Sequence, residues 1–361
     1  MNKIHFLVFI FTLSIISCQT DNNSKKMKID DSVIEEGLNN DLSVKELDPV
    51  FPELKDLNSL NSTTFIPTLE NTFDSDINTI YAATLCMAWK EIQDTIGSKI
   101  KNCENKDLTL MTNSNSYLNV LNKNEYTTMV NVTEDSVTNL RIIQAMAYFK
   151  KALPFEYPLT KYENGLAFKS INVLSFGFNH EGPAKILYYN NDDDFALKLI
   201  PKDSDHEIIL LKKEFNKLIS MQNEIKKLEN NIKIFSENRS SNNRWKYNFN
   251  RKDKVRIPII NFHLEHDFND IIGSHFYTFN NTPFQISRFY QKNAFILDEN
   301  GAIVESLAIE EAVEEAVEEE LQKAKNLIFD KPFLILLKRE SNEFPYFAVY
   351  IANTELMKRV K

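Results

Sequence analysis

The sequence predicts an α+β protein of mixed, mostly antiparallel sheets, with helices toward its N-terminus and one long exposed insert near its C-terminus. Three observations carry this reading. Apolar residues recur at three- and four-residue spacing over 77–96, the mark of a helix with one buried face. Short apolar runs come in pairs around turn-forming residues at 184–200 and 332–351. Between two strand-like runs lies AIVESLAIEEAVEEAVEEELQKAK, residues 302–325, whose composition suits a helix and not a sheet.

The 361 residues allow one large domain or two ordinary ones, and 43% apolar content suffices for a sizeable core. With 51 acidic against 42 basic residues the net charge is −9, which argues against a general nucleic-acid binder. The 7 glycines sit singly, so a glycine-rich phosphate loop is not expected. The 3 cysteines exclude a disulfide scaffold or a cysteine-rich zinc module. No cofactor, metal centre or enzymatic activity is expected, and the chain is expected to be a monomer.

Lys3 precedes an apolar run, Ile4 to Ile16, that is too short to cross a bilayer and has the length of a signal-peptide core. It ends in Ile15-Ile16-Ser17-Cys18, which resembles a bacterial lipoprotein signal in which the cysteine is acylated. The division expected is a signal peptide over 1–17, a flexible tether over 18–66 and a single domain over 67–361. Lipid on Cys18 would hold the protein to a membrane, in the cell envelope, outside the cytoplasm, at the outer membrane or cell surface.

Asp74 and Ser75 can cap the helix at 77–96, whose apolar face is Ile77, Ile80, Tyr81, Leu85, Ala88, Trp89, Ile92 and Ile96. Residues 99–124 read as a polar loop. Residues 137–150 read as a helix, or a helix leading into a strand. Ala184–Tyr189 and Phe195–Ile200 form a hairpin about Asn190 to Asp194. Leu211, Phe215, Leu218, Ile225, Leu228 and Ile232 mark one or two amphipathic helices. Residues 255–263 and 292–297 read as strands, and 332–338 with 345–351 as a last hairpin about Ser341-Asn342.

The 302–325 segment stands apart. Eight glutamates lie between Glu305 and Glu320 with no base among them, and Lys323 and Lys325 follow. Ile309, Val313, Val317 and Leu321 give only a narrow apolar stripe. Acids first and bases last suit a helix dipole. An exposed insert between two strands is also where a functional loop sits.

Its flanks resemble the serpin family. Lys292 to Gly301 (KNAFILDENG) is similar to the strand and hinge that open the serpin reactive loop. Phe329 to Leu334 (FDKPFL) is similar to the strand after it, and Phe347 to Asn353 (FAVYIAN) to the closing C-terminal strand. Upstream, Ala145 to Lys150, Leu153-Pro154-Phe155 and Leu159-Thr160 resemble a central sheet strand and its turn. Leu197 to Pro201 and Ile257 to Phe268 resemble later strands, and Asn78 onward stands for the first buried helix. These matches run in family order over 74–353. The chain is therefore read as a divergent bacterial lipoprotein member, with a reactive-centre-like loop around 302–326.

The resemblance implies a serine-type endopeptidase inhibitor whose partner is a serine or cysteine peptidase. It places the loop hinge at Gly301, Ala302, Val304, Ser306 and Ala308, and counting by family spacing puts the scissile bond at Glu315–Ala316. Two features depart from the family. The chain is short between 96 and 145, and the hinge carries Ile303, Val304, Glu305 and Leu307 where small residues are usual. If the hinge enters a sheet, alternation turns Ala302, Val304, Ser306, Ala308, Glu310, Ala312 and Glu314 inward. An unpaired carboxylate there opposes insertion. The alternative is a non-inhibitory binding or structural protein of the same fold, with the acidic segment as its docking surface.

The remaining motifs point to structure. His263-Leu264-Glu265-His266-Asp267 lacks the spacing of a metal-binding helix and reads as a polar strand end. Asp192-Asp193-Asp194 lacks the alternation of a calcium loop and reads as a turn. Cys86 belongs to an apolar face and Cys103 to a polar loop; a disulfide between them is one possibility in an oxidising compartment.

Overall fold

The long strand Pro283–Asp298 organises the chain. In this computed structural model, which describes residues 51–134, 141–149, 151–179, 182–303 and 323–360, every second residue of that strand from Phe289 to Leu297 is buried. One flank of the strand is covered at its start by His275–Thr278 and at its end by Ile260–Asp267, both antiparallel. Its other flank pairs in parallel with Arg141–Phe149, from Phe284 opposite Arg141 to Gln291 opposite Ala147. Tyr126–Glu134 then pairs antiparallel with Arg141–Phe149 at the outer edge.

A second sheet of seven strands contributes more of the core than any other sheet. Its order is 184–191, 194–199, 206–212, 333–339, 347–351, 78–82 and 63–65. His206–Lys212 and Asn78–Ala82 are buried at every position, so their near-continuous apolar runs are those of strands covered on both faces. A third sheet runs 326–328, 254–258, 171–179, 160–168, its first pair parallel. Gly177 belongs to the close approach there: a Cβ at its φ of +152° would lie 2.0 Å from the Val255 carbonyl oxygen.

Among the described residues three α-helices pack against these sheets: α1 (Thr84–Thr95), α2 (Lys106–Asn113) and α3 (Met221–Glu237). On α1, Trp89 is fully buried, its ring edge-on to Phe276 with centroids 5.1 Å apart, and its Nε1 donates to Thr112 Oγ1 over 3.0 Å. Asn105 caps α2 by accepting from the Asp107 amide at 2.7 Å.

Several expectations need correction. The helix read over 77–96 begins only at Thr84, without a side-chain cap, because Asn78–Ala82 is a strand between 347–351 and 63–65. The β-branched and aromatic Thr79-Ile80-Tyr81 fill a two-sided interior slot there, and that packing overrides a helical spacing. The polar stretch after 99 holds a strand, Ile100–Cys103, and α2. Of 137–150, read as a helix or a helix leading into a strand, 141–149 is a strand, in keeping with the resemblance of Ala145 to Lys150 to a sheet strand. Folded structure also starts before 67. Lys55–Asp56 and Thr63–Phe65 pair with the two large sheets, and Leu57, Phe65 and Ile66 are buried, so 51–66 is not tether. Cys86 and Cys103 are both free thiols, and burial pushes the Cys86 thiol well up.

Candidate functional site

Above Gln291 and Ala147 the two parallel strands diverge into a fork, and Gly301 and Ala302, expected in the hinge, sit in it. The chain leaves the long strand at Asp298, turns, and returns as Gly301–Ile303. This short strand is antiparallel to both of its neighbours. Gly301, Ala302 and Ile303 face Asp298, Leu297 and Ile296 on one side, and Pro154, Leu153 and Ala152 on the other.

The turn is built from its own residues. Asp298 Oδ1 accepts from the Asn300 amide at 2.8 Å, while burial raises the Asp298 carboxyl above its ordinary range. The Asn300 and Glu299 carbonyls accept from the amides of Phe155 and Leu159 at 2.9 and 2.7 Å, and Glu299 pairs with Lys161 at 3.4 Å. Gly301 has φ +132°, and a Cβ there would lie 2.4 Å from the Leu153 carbonyl oxygen. Only glycine fits that conformation and that approach. Ala302 is fully buried beside Leu297 and Leu153.

Of the hinge residues expected from sequence, Gly301 and Ala302 are thus placed in the fork. Val304, Ser306, Ala308, the Glu315–Ala316 bond and the lipidation residue Cys18 lie outside the described residues. The chain is described again from Lys323, and Asn326–Ile328 is the edge of the third sheet. Residues 304–322 therefore connect two different sheets.

A charge cluster fastens the other arm of the fork. Lys151, one residue before the arm Ala152–Pro154, pairs with Asp203 at 3.1 Å and Glu125 at 3.5 Å. Glu125 also bonds Arg339. His206, almost wholly buried, sets its Nδ1 3.1 Å from the Tyr346 hydroxyl, with Asp203 and Glu125 at 3.7 and 3.9 Å from Nε2. Burial, then the positive charges of Lys151 and Arg339, hold the His206 imidazole down to about 4. Burial works to raise the Glu125 carboxyl, but hydrogen bonds from Arg339 and the Asn122 amide outweigh it and leave the group lowered. No motif announced this cluster, because its members come from five separate stretches of chain.

Beneath the sheet, Gln291 reaches Thr84 Oγ1 at 3.4 Å, while the Nδ2 of buried Asn293 has no partner among the described residues. His263 and His266, on one strand, serve structure. His263 Nδ1 lies 3.2 Å from the Pro52 carbonyl oxygen, and the His266 ring stands edge-on to Phe65 and Phe268. Asp192 and Asp193 form the turn of the 184–199 hairpin and engage Asn326, Lys212 and Lys331.

No protein-family model and no curated protein matches the chain. Among solved structures it is similar to Serpin48 of the insect Tenebrio molitor, at 13% identity and TM-score 0.34, over 76% of this chain and 92% of that one. It is also similar to a serpin from Schistosoma mansoni, at 12% identity and TM-score 0.37, over 61% of this chain and 58% of the other. A third similarity is to thyroxine-binding globulin in complex with thyroxine, at 14% identity and TM-score 0.34, over 61% and 59%. The match spans less than two thirds of the length of the last two proteins.

Proposed function

We propose that this chain is a serpin-type endopeptidase inhibitor, held to the outside of the cell envelope by lipid on Cys18, that offers its 302–326 segment as bait to a serine or cysteine peptidase. The observation that carries the reading is the fork. The segment starts from a strand already seated between two arms of one sheet and ends on the edge of another sheet. Cutting such a bridge frees its first half to continue down the fork. An added strand gains a backbone ladder on both sides, and that gain is the stored energy of an order-switching device. No catalytic side chain is required of the chain itself. The test is incubation with a panel of serine and cysteine peptidases, scored for a covalent complex that survives SDS. Cleavage without such a complex for every peptidase would reject inhibition.

Glu310 and Glu314 favour a second reading. Were the cut segment to enter the fork, alternation from Ala302 would turn both toward the interior, so at neutral pH it would serve as a docking surface that is cut without inserting.

A further inference from the structure

Asn326–Ile328 is weakly held by its backbone. It is three residues long, lies at a sheet edge and, among the described residues, pairs only with 254–256, in parallel. The residue just before it compensates. Lys325 has a fully buried side chain, and its ammonium meets three acceptors: Asp253 Oδ2 at 2.7 Å, the Trp245 carbonyl at 2.7 Å and the Asn248 carbonyl at 3.0 Å. That satisfies all three of its protons. The Lys325 amide donates to Asp253 Oδ1 at 2.7 Å, and its carbonyl accepts from the Lys254 amide at 3.0 Å. Asp253 is itself buried and bonds the Asn250 amide at 3.0 Å.

The far end of the strand is pinned the same way. Buried Lys212 donates to the Ile328 carbonyl at 2.8 Å and to Asp330 at 2.7 Å, and the Phe329 amide reaches the Arg256 carbonyl at 2.9 Å. Burying an ammonium is costly, and a leucine would fill the same space more cheaply. What the ion pair adds is direction: it allows one register of 325–328 against 253–256 and no other. It also stands immediately beyond a stretch of eight glutamates that has no base of its own.

We propose that Lys325 is a positioning residue that locks the C-terminal root of the 304–322 segment. Resting on the bait reading above, the Lys325–Asp253 pair makes the segment a span fastened at both ends. A peptidase then meets it under constraint, and after a cut the C-terminal piece keeps its strand in place. The fork frees one end of the span; the ion pair holds the other.

The experiment compares wild type, Lys325→Met and the double variant Lys325→Met/Asp253→Leu, the last removing both charges so that none is left buried alone. Amide hydrogen exchange is read at 326–329, 208–211 and 334–337 in the intact protein. Steady-state cleavage within 305–320 by a Glu-specific protease is read alongside. In both variants we expect exchange at 326–329 to accelerate at least tenfold with 208–211 and 334–337 unchanged. KM for cleavage should shift while cleavage elsewhere stays fixed. Unchanged exchange at 326–329 in both variants overturns the proposal, and so does equal acceleration at all three places, which would make the pair a general core contact. Neither readout needs a covalent peptidase complex, so failure of the inhibitor reading is seen separately.

Discussion

How far the cut segment can travel down the fork is set by register and two glutamates. Ala302 lies opposite Leu297 and Leu153, and Ile303 opposite Ile296 and Ala152, so each further residue steps one place down both arms. Leu307 reaches Lys292 and Tyr148 before any existing pair is disturbed. Ala308 meets Gln291 and Ala147, the first pair of the parallel seam, and every later residue must break that seam. Glu310 then faces Phe289 and Ala145, neither exposed to solvent, and Glu314 lies two inward places beyond. Holding a glutamate of ordinary pKa, about 4.3, neutral at pH 7.5 costs about 4 kcal/mol, so the pair opposes insertion by about 8 kcal/mol. A dozen new backbone hydrogen bonds at about 1 kcal/mol net each is of the same size, which leaves little driving force. At pH 4 the carboxyl cost falls below about 1 kcal/mol for the two together. The assay is limited digestion with a Glu-specific protease, selection by mass of molecules cut after Glu318, Glu319 or Glu320, and thermal melts of intact and nicked protein at pH 7.5 and pH 4. On the docking reading the two melts of wild type at pH 7.5 should agree within a few degrees. Glu310→Ala/Glu314→Ala should gain about 10 °C or more on nicking, and wild type should gain at pH 4. A rise of tens of degrees for nicked wild type at pH 7.5 would refute the carboxylate argument and leave the segment free to insert fully.

Three other expectations follow from named contacts. Gly301→Ala combines a positive φ with a Cβ 2.4 Å from a carbonyl oxygen, so urea unfolding should show a loss of about 2 kcal/mol or more; an unchanged midpoint would show that the turn relaxes freely. His206 is held at about 4 against 6.5 when unfolded, so its contribution is full above pH 6.5 and is lost as pH falls from 6.5 toward 4. It amounts to at most about 3 kcal/mol, with Lys151, Arg339, Asp203, Glu125 and Tyr346 facing the ring. Urea titrations across pH 7.5 to 4.5 should therefore fall less steeply for His206→Gln than for wild type, and parallel slopes would remove His206 as the cause. Cys18→Ala should move the protein from the detergent phase to the aqueous phase or block signal processing; a variant that partitions and migrates like wild type contradicts lipidation.

The sequence made several strands after 184 legible because their runs are bounded by strong turn residues, but Leu211 and Leu218, read as helical, belong to the strands 206–212 and 218–220, and the helix begins only at Met221. The 184–200 and 332–351 hairpins and the strand about 292–297 stand where the pattern put them, whereas 255–263 divides at Ile259 into two strands of different sheets. It misled where an element owes its state to neighbours far away in the chain. Thr79-Ile80-Tyr81 is helical in spacing but extended in place, because 347–351 and 63–65 each offer it a ladder. Of the five hinge residues that the family resemblance implies, Gly301 and Ala302 are among the described residues, and they occupy the fork. The arm that receives them was not legible, for Lys151, Glu125, Asp203, His206 and Arg339 share no pattern until the sheets bring them together.

The parallel seam between Phe284–Gln291 and Arg141–Ala147 has a mechanical consequence. Its two neighbours along the large sheet, 260–267 with 283–298 and 126–134 with 141–149, are antiparallel ladders without a break, whereas the seam is parallel and carries an irregularity at Ile286–Arg288. Parallel pairing is the weaker per residue. Under tension across the strands, such as a load between a surface tether and a partner gripping the far end, the sheet should tear along this one line. Each half would keep its long antiparallel ladder, while the short strand Gly301–Ile303, paired to both arms above the seam, would have to let go of one of them.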